Sequence, residues 1–271
     1  MRIGIGTYTY TWAIGVAGSL PAYPMDAKKL IDKAAEHEVA CVQFADNIAL
    51  ADLGKPALTE IKAYAKIKGI AIEVGGRGLT EENLDRYIDL ASFFNSPLLR
   101  MVIDQGEYKP TNDITIGIIR NALGNLASKG VVLALENHDR LPASAFRRII
   151  VEVDSLYAGI CLDCVNSMGI GEGLETVVSN LAPYTVNLHV KDFIVKRISH
   201  MMGFVVEGVP AGKGFLNLPN LLKALEPFGK CQSAILELWT PPEDNLSRTI
   251  EKEEAWAKES IVYMKKTILQ S

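Results

Sequence analysis

Eight apolar runs of strand length alternate with longer segments of helical period along the 271-residue chain. This alternation favours a parallel sheet, because parallel neighbours need a long crossover connection that is usually a helix. Most runs are rich in Val, Ile and Leu, which is typical of strands buried on both faces. The predicted strands are Arg2–Gly6, Ala40–Phe44, Ile70–Val74, Leu98–Val102, Val131–Glu136, Tyr157–Asp163, Thr185–Lys191 and Ala234–Leu238.

The segments between the strands predict eight helices. Gly69, Gly130 and Gly229 follow predicted helix ends, where a left-handed residue is favoured. The helices are predicted at Asp26–His37, Lys55–Lys68, Thr80–Phe94, Asn112–Lys129, Pro142–Val153, Gly171–Leu181, Asn217–Phe228 and Ser247–Leu269.

Eight strand and helix pairs without a composition break predict a single α/β domain over residues 1–271, a (β/α)8 TIM barrel. The alternative is a doubly wound open sheet. That fold is disfavoured because Gly4-Ile5-Gly6 is followed by Thr7-Tyr8-Thr9, without the G-x-G-x-x-G turn of dinucleotide-binding sheets.

Composition and charge exclude several classes of function. The chain has 28 basic and 32 acidic residues and no long basic block, which argues against nucleic acid or an anionic membrane surface as partner. No stretch is apolar enough to span a bilayer, and the N-terminus has no secretory pattern. Four scattered cysteines do not form a disulfide framework. We therefore expect a cytoplasmic protein.

Polar residues close four apolar strands that are neighbours in the predicted barrel. They are Glu136, Asp163, His189 and Glu237, which end the fifth to the eighth strand. Barrel active sites lie at this end of the strands, and buried carboxylates need a cation or an ion pair. Three carboxylates and one imidazole suit a divalent metal. Mn2+ is favoured, Mg2+, Co2+ and Fe2+ are possible, and Zn2+ is less natural.

Each residue also has a simpler interpretation. A single acidic residue at a strand end is commonly a helix cap or half of a salt bridge, and a single histidine is often only hydrogen-bonded. Four such residues on four consecutive strands are harder to explain by capping, in a chain that has four histidines in all.

The strand-end set resembles the metal site of the xylose-isomerase-like sugar isomerases and epimerases, a group that includes ketose 3-epimerases, inosose dehydratase, hydroxypyruvate isomerase and endonuclease IV. The matching segments are Leu135-Glu136-Asn137-His138, Leu162-Asp163-Cys164-Val165-Asn166, Leu188-His189-Val190-Lys191-Asp192, Gly212-Lys213-Gly214 and Leu236-Glu237-Leu238. The resemblance implies that Glu136 and Glu237 are both metal ligands and the acid/base pair. It implies that Asp163 and His189 are ligands alone.

The implied function is a divalent-metal-dependent isomerase or epimerase of a sugar or sugar phosphate, with carboxylate-mediated proton transfer through an enediolate. The run Val190-Lys191-Asp192 departs from the Gly-Glu pair that follows the ligand histidine of ketose 3-epimerases. His-x-Lys-Asp is more similar to the inosose dehydratases. The alternatives are therefore a dehydratase of a keto-polyol and a non-catalytic sugar-binding barrel. A hydrolase similar to endonuclease IV is disfavoured by the small number of histidines.

Further residues are candidates for substrate contact. Lys191 shares the strand face of His189 and could act as an acid, hold an anionic group or pair with a carboxylate. Arg197 and His200 lie in a predicted long loop, Phe193 through Gly214, that could cover a substrate. The other candidates are His138, Asn166, Trp12 and Trp239, with Gln43 and Arg100 as weaker ones. The expected partner is a small sugar derivative, and a homo-oligomer is possible.

Overall fold

Eight parallel strands close into a barrel in the computed structural model, which describes residues 1–269. Each strand pairs with its neighbour along the chain, and the last strand pairs with the first. This closure confirms the predicted (β/α)8 barrel. The barrel strands are β1 (Arg2–Gly6), β2 (Cys41–Phe44), β3 (Ala71–Arg77), β4 (Leu98–Val102), β5 (Val132–Glu136), β6 (Ala158–Asp163), β7 (Thr185–Val190) and β10 (Ser233–Leu236).

Helices follow the strands and cover the outside of the barrel. Asp26 and Thr80 cap two of them by accepting a hydrogen bond from the backbone N–H three residues on. Gly69 and Gly130 end two others with left-handed backbone, as predicted. The helices are α1 (Thr11–Ile14), α2 (Ala27–Glu36), α3 (Lys55–Lys68), α4 (Glu81–Phe94), α5 (Asn112–Lys129), α6 (Ala143–Val153), α7 (Leu174–Leu181), α8 (Leu218–Leu225) and α9 (Leu246–Ile268).

The segment between β7 and α8 differs from the predicted loop. It forms an antiparallel hairpin of two strands, β8 (Asp192–Arg197) and β9 (Phe204–Val209). The carboxylate of Asp192 holds the base of this hairpin, because it accepts backbone hydrogen bonds from Gly212 at 2.8 Å, Gly214 at 3.0 Å and Leu216 at 2.9 Å. The His-x-Lys-Asp motif therefore ends in a structural anchor.

A second departure concerns β3, which extends three residues beyond the predicted end and reaches Arg77. The apolar run stops at Val74, but Gly75 and Gly76 continue the strand. A side chain at Gly75 would lie 2.8 Å from the carbonyl oxygen of Phe44, so glycine allows the close packing there. The extension carries a charged side chain to the end of the barrel where the predicted site lies.

Within residues 1–269, no helix combines the length and apolar character that crossing a bilayer requires.

Candidate metal centre

The four strand-end residues meet at the carboxyl end of the barrel. Glu136 and Asp163 are the last residues of β5 and β6, His189 lies near the end of β7, and Glu237 follows β10. All four are buried. His189 Nδ1 lies 3.6 Å from Glu136 Oε2, 3.8 Å from Asp163 Oδ2 and 3.3 Å from Glu237 Oε1.

These residues fit a divalent cation. Ligand atoms of Asp163, His189 and Glu237 lie within 4.8 Å of one another, which is close to the separation expected for ligands bound at 2.0–2.3 Å to one ion. His189 Nδ1 is buried and has no hydrogen-bond partner within the described chain. Burial opposes charge on His189, but Glu237 and Glu136 raise its pKa, and a cation bound at Nδ1 would take the place of that proton. Oxygen donors with one imidazole suit Mn2+ or Mg2+.

Cys161 is also close enough to take part in a cluster with Glu136 and His189. Burial raises the pKa of the Cys161 thiol well above its usual value, and its Sγ contacts Asn187 Oδ1 at 3.0 Å. A protonated thiol is a poor ligand, so the carboxylates and His189 are the better candidate ligands. Cys164 contacts the carbonyl of His189 instead, and all four cysteines are free thiols.

The carboxylate of Glu136 is engaged through both oxygens. Oε2 accepts a hydrogen bond from Arg100 Nε in a buried salt bridge, and Oε1 accepts one from Asn166 Nδ2 at 2.9 Å. Burial alone would raise the pKa of Glu136, but the Arg100 guanidinium and His189 lower it. Glu136 is therefore held as an anion.

Lys191 forms ion pairs with two of the carboxylates. Its Nζ lies 2.9 Å from Asp163 Oδ2 and 2.9 Å from Glu237 Oε2, and it stands 5.3 Å from the centre of the Trp239 ring. Burial works against charge on Asp163, but Lys191 and His189 lower the pKa of Asp163 far below its usual range. The salt-bridge alternative for Lys191 is thus realised inside the site.

An open cavity of about 470 Å³ lies over this cluster, large enough for a small sugar derivative. Trp12 is held at its wall by a hydrogen bond from Nε1 to the carbonyl of Thr240 at 2.8 Å. The cavity is lined by Tyr8, Thr11, Trp12, Arg77, Arg100, Glu136, His138, Asn166, Lys191, Glu237, Leu238, Trp239 and Thr240.

The structure brings most of the predicted substrate-contact residues to this cavity. His138, Asn166, Lys191, Trp12 and Trp239 all line it. Their contact with substrate stays a prediction.

Arg197 and His200 are not among the lining residues. Both are on the exposed hairpin, where the Arg197 guanidinium lies 4.3 Å from the centre of the Phe204 ring and NH1 donates to the carbonyl of Met201 at 2.9 Å. The predicted substrate contact of these two residues has no support from their position.

The sequence interpretation missed Arg77 and Tyr8. Arg77 lies beyond the predicted end of its strand, since Gly75 and Gly76 interrupt the apolar run. The position of Arg77, three residues after the apolar run, could have indicated a site residue. Using that signal would have required knowing that β3 continues to Arg77. Tyr8 follows β1 in a short 3-10 turn and shows no distinctive pattern.

Comparisons with known proteins agree with this architecture. A family model described as xylose isomerase-like TIM barrel matches residues 31–267. A 3-oxo-isoapionate decarboxylase from Pectobacterium atrosepticum is 28% identical over 97% of this chain and 95% of its own.

Solved structures show the same fold at lower identity. A D-psicose 3-epimerase from Clostridium cellulolyticum H10, solved with D-tagatose, superposes with a TM-score of 0.73 at 16% identity over 99% of each chain. A xylose isomerase-like TIM barrel protein from Mycobacterium smegmatis, solved with magnesium, has a TM-score of 0.71 at 15% identity over 96% of this chain and 97% of its own. The chain described here belongs to the xylose isomerase-like TIM barrel family.

Proposed function

We propose that this protein is a divalent-metal-dependent enzyme that converts a small sugar derivative through an enediolate. Glu136, Asp163, His189 and Glu237 would hold the ion, with Mn2+ favoured by the oxygen-rich donor set. When bound, such an ion polarises a substrate carbonyl and stabilises negative charge on its oxygen. The buried, converging ligands and the cavity above them support this proposal.

Two reaction types use an enediolate and differ in the number of proton transfers. An isomerase or epimerase removes a proton from carbon and returns one to a different carbon or face, and the predicted pair for this work is Glu136 and Glu237. A decarboxylase of a 3-oxo sugar acid reaches the same kind of intermediate by losing CO2, and then needs only one proton. The relative from Pectobacterium atrosepticum is named for the second reaction.

The hydrogen bonds to both oxygens of Glu136 favour decarboxylation over isomerisation or epimerisation. One of its oxygens pairs with Arg100 and the other accepts from Asn166, so a substrate proton would have to compete with both donors. A carboxylate held as an anion in this way is a weak proton acceptor. We therefore propose decarboxylation of a 3-oxo sugar acid as the activity, with isomerisation or epimerisation of a ketose as the second candidate.

The proposed reaction balances without a redox partner. The bond between the carboxylate carbon and the α carbon breaks, CO2 leaves, and the electron pair forms the enediolate with the 3-oxo group. One proton then adds to the α carbon. Lys191 and Tyr8 line the cavity, and burial raises the pKa of Tyr8 to about 12. Both residues hold a proton at neutral pH and are candidates for its donor.

The test compares the two reactions directly. The purified protein is incubated in D2O with Mn2+ or with EDTA, and the substrates are 3-oxo-isoapionate, several ketoses and an inosose. Proton and carbon NMR then follow the products. We expect metal-dependent release of CO2 from the 3-oxo acid with one deuterium in the product. Deuterium exchange into a ketose without CO2 release would establish the isomerase or epimerase instead, and loss of water from the inosose would establish a dehydratase.

Substitutions inside and outside the site test whether the activity depends on the proposed ligands. Glu237→Gln is expected to lower kcat by about 100-fold or more, since it removes a predicted ligand. Arg148→Gln is the control, because Arg148 is exposed on the outer helix α6. No turnover of any substrate, together with tight binding of Mn2+, would favour a sugar-binding barrel without catalysis.

A further inference from the structure

Arg77 is the cavity cation with the weakest internal pairing. Arg100 is paired with Glu136, and Lys191 is paired with two carboxylates at 2.9 Å. Arg77 Nε is buried and has no hydrogen-bond partner within the described residues. The carboxylate oxygen Asp46 Oδ2 is 3.4 Å from Nε.

The neighbours of Arg77 leave its guanidinium available to a ligand. Arg77 NH2 lies 3.4 Å from His138 Nε2, and His138 Nδ1 lies 2.9 Å from Asp139 Oδ2. The Asp46 carboxylate is shared, since its Oδ1 also lies 3.8 Å from Arg100 NH1. A planar guanidinium that is partly exposed to a cavity and incompletely paired is suited to bind a carboxylate.

The charges around the cavity also favour an anionic ligand. Three cationic side chains lie at the cavity or directly against it, together with four carboxylates, so that the side chains alone carry one excess negative charge. A bound divalent ion changes the sum to one excess positive charge, which one substrate carboxylate would balance. The side chains counted are Arg77, Arg100, Lys191, Asp46, Glu136, Asp163 and Glu237.

We propose that Arg77 forms a subsite for the carboxylate of a sugar acid, at the end of β3 and beside His138. This inference rests on the proposed function of the site and names the group that distinguishes its substrates from neutral sugars. A carboxylate loses its charge as CO2 forms, so the Arg77 contact stabilises bound substrate more than the transition state. Removing the Arg77 contact should therefore raise KM and weaken ligand binding.

Equilibrium binding tests the subsite without turnover. Isothermal titration calorimetry on the Mn2+-loaded protein compares D-threonate with D-threitol, which share a carbon skeleton and differ in charge. We expect the wild type to bind threonate at least about tenfold more tightly than threitol, since a charge-assisted contact with a guanidinium is stronger than a neutral hydrogen bond. Arg77→Gln should abolish this preference, and Arg77→Lys should retain part of it.

The outcomes separate this proposal from the proposed reaction. Equal binding of threonate and threitol by the wild type, or an unchanged preference in Arg77→Gln, would overturn the subsite. Arg148→Gln is the matched control, and it should keep the wild-type preference. A preference that disappears in Arg77→Gln but not in Arg148→Gln supports the subsite even if no 3-oxo acid is decarboxylated.

A second inference rests on a different observation, a chain of hydrogen bonds along the barrel axis. His189 Nε2 lies 2.7 Å from Gln43 Oε1, and Gln43 Nε2 donates to Glu73 Oε2 at 3.1 Å. Arg2 NH2 donates to Glu73 Oε1 at 3.2 Å. His189, Gln43 and Glu73 are buried, whereas Arg2 is partly exposed at the opposite end of the barrel.

The partners of Gln43 fix the direction of its amide. Its Nε2 also donates to Asn187 Oδ1 at 3.1 Å, and Asn187 Nδ2 in turn donates to Ser233 Oγ at 2.9 Å. Glu73 and Asn187 both present acceptor oxygens to the Gln43 amide, so its nitrogen must face them and its oxygen faces His189. His189 Nε2 must then carry a hydrogen, so Nδ1, which faces the three carboxylates, is the nitrogen left to bind a cation.

We infer that Gln43 is a positioning residue that selects the His189 tautomer able to bind a cation through Nδ1. Gln43 does not touch the ion or the substrate, and it acts only through His189. The second interaction of a ligand histidine commonly has this role, and its loss typically lowers metal affinity by 10–100-fold.

Calorimetric titration of EDTA-treated protein with Mn2+ tests this role. Gln43→Met removes the acceptor and should weaken Mn2+ binding by about 10–100-fold, whereas Gln43→Glu keeps an acceptor oxygen and should restore most of the affinity. Melting temperatures without metal show whether each variant is folded. If Gln43→Met is unfolded, Gln43→Asn, which draws the oxygen back by one methylene, replaces it. Affinity within about twofold of wild type for Gln43→Met, or for Gln43→Asn where it is used instead, would overturn the proposal. A loss in Gln43→Glu equal to that in the tested variant would also overturn it.

Discussion

The ammonium of Lys191 lies 2.9 Å from Glu237 Oε2, inside a site where both side chains are almost fully buried. The same nitrogen lies 2.9 Å from Asp163 Oδ2. One cation therefore compensates two carboxylates that also face His189. Removing one partner of a buried ion pair leaves an uncompensated charge, which is strongly destabilising.

We predict that Lys191→Met destabilises the metal-free protein by about 3–5 kcal/mol, because Asp163 and Glu237 lose their compensating charge. Mn2+ should restore more stability to this variant than it adds to the wild type, since the ion supplies positive charge at the same carboxylates. Urea unfolding with EDTA and with Mn2+ measures both effects.

The control for this prediction is Lys213→Met. Lys213 pairs with Glu259 at 3.0 Å on the surface, where an ion pair contributes about 0–1 kcal/mol. A loss in Lys191→Met as small as in the control would contradict a compensating role for the buried lysine.

Metal binding should stabilise the native state. Mn2+ at about 100 times its Kd is expected to add roughly 2.7 kcal/mol to the free energy of unfolding, because only the folded chain assembles the four proposed ligands. His189→Asn removes the unpartnered Nδ1 and should abolish most of this gain. Differential scanning calorimetry with Mn2+ and after EDTA measures the shift, and an equal shift in the variant would argue against this nitrogen as a ligand.

A pH dependence is expected from Glu253 of α9, which accepts hydrogen bonds from the backbone N–H groups of Trp12 at 3.0 Å and Ala13 at 3.0 Å. Burial raises the pKa of Glu253 from 4.5 to about 7. The folded chain thus binds this proton more tightly than the unfolded chain. Its contribution to stability is full below about pH 4.5 and falls as the pH rises towards 7.

Glu253→Gln should remove this part of the pH dependence. Each pKa unit corresponds to about 1.4 kcal/mol, so the wild type should lose a few kcal/mol relative to the variant between about pH 4.5 and pH 7. Chemical unfolding of both proteins over this range gives the difference. Parallel stability curves would contradict a raised pKa at Glu253.

Ligand binding should change tryptophan fluorescence. Trp12 and Trp239 line the cavity, whereas Trp256 lies on α9 beside Lys252. Trp239 is 38% exposed and faces Lys191, so a ligand would alter both its solvation and its charged neighbour. We expect Trp239→Phe to lose most of the signal and Trp256→Phe to keep it. Titration with D-threonate at fixed Mn2+ provides the measurement.

Much of the fold could be predicted from the sequence because it depends on local pattern. The apolar runs, the helical periods and glycines such as Gly69 and Gly130 indicate where most strands and helices begin and end. Parallel strands in this order then close into a barrel, which places Glu136, Asp163, His189 and Glu237 at one end. Their convergence follows from strand order alone.

The hairpin β8–β9 could not be predicted in this way. The segment contains apolar residues, but the way the chain returns to the barrel after the hairpin depends on Asp192. Its carboxylate accepts hydrogen bonds from backbone N–H groups about twenty residues later, those of Gly212, Gly214 and Leu216. A hydrogen bond across such a distance leaves no periodic signal. Arg77 was missed for a similar reason, because Gly75 and Gly76 interrupt the apolar pattern of β3 before it.

Periodicity and strand order are patterns along the chain, and they suffice to predict the barrel and the meeting of the four strand-end residues. The distribution of charge among these residues depends on the folded structure. Arg100 lies against Glu136, Lys191 lies between Asp163 and Glu237, and Gln43 directs His189. These pairings join side chains from different strands across the barrel interior, and the geometry of the closed barrel determines which of them come within hydrogen-bond distance.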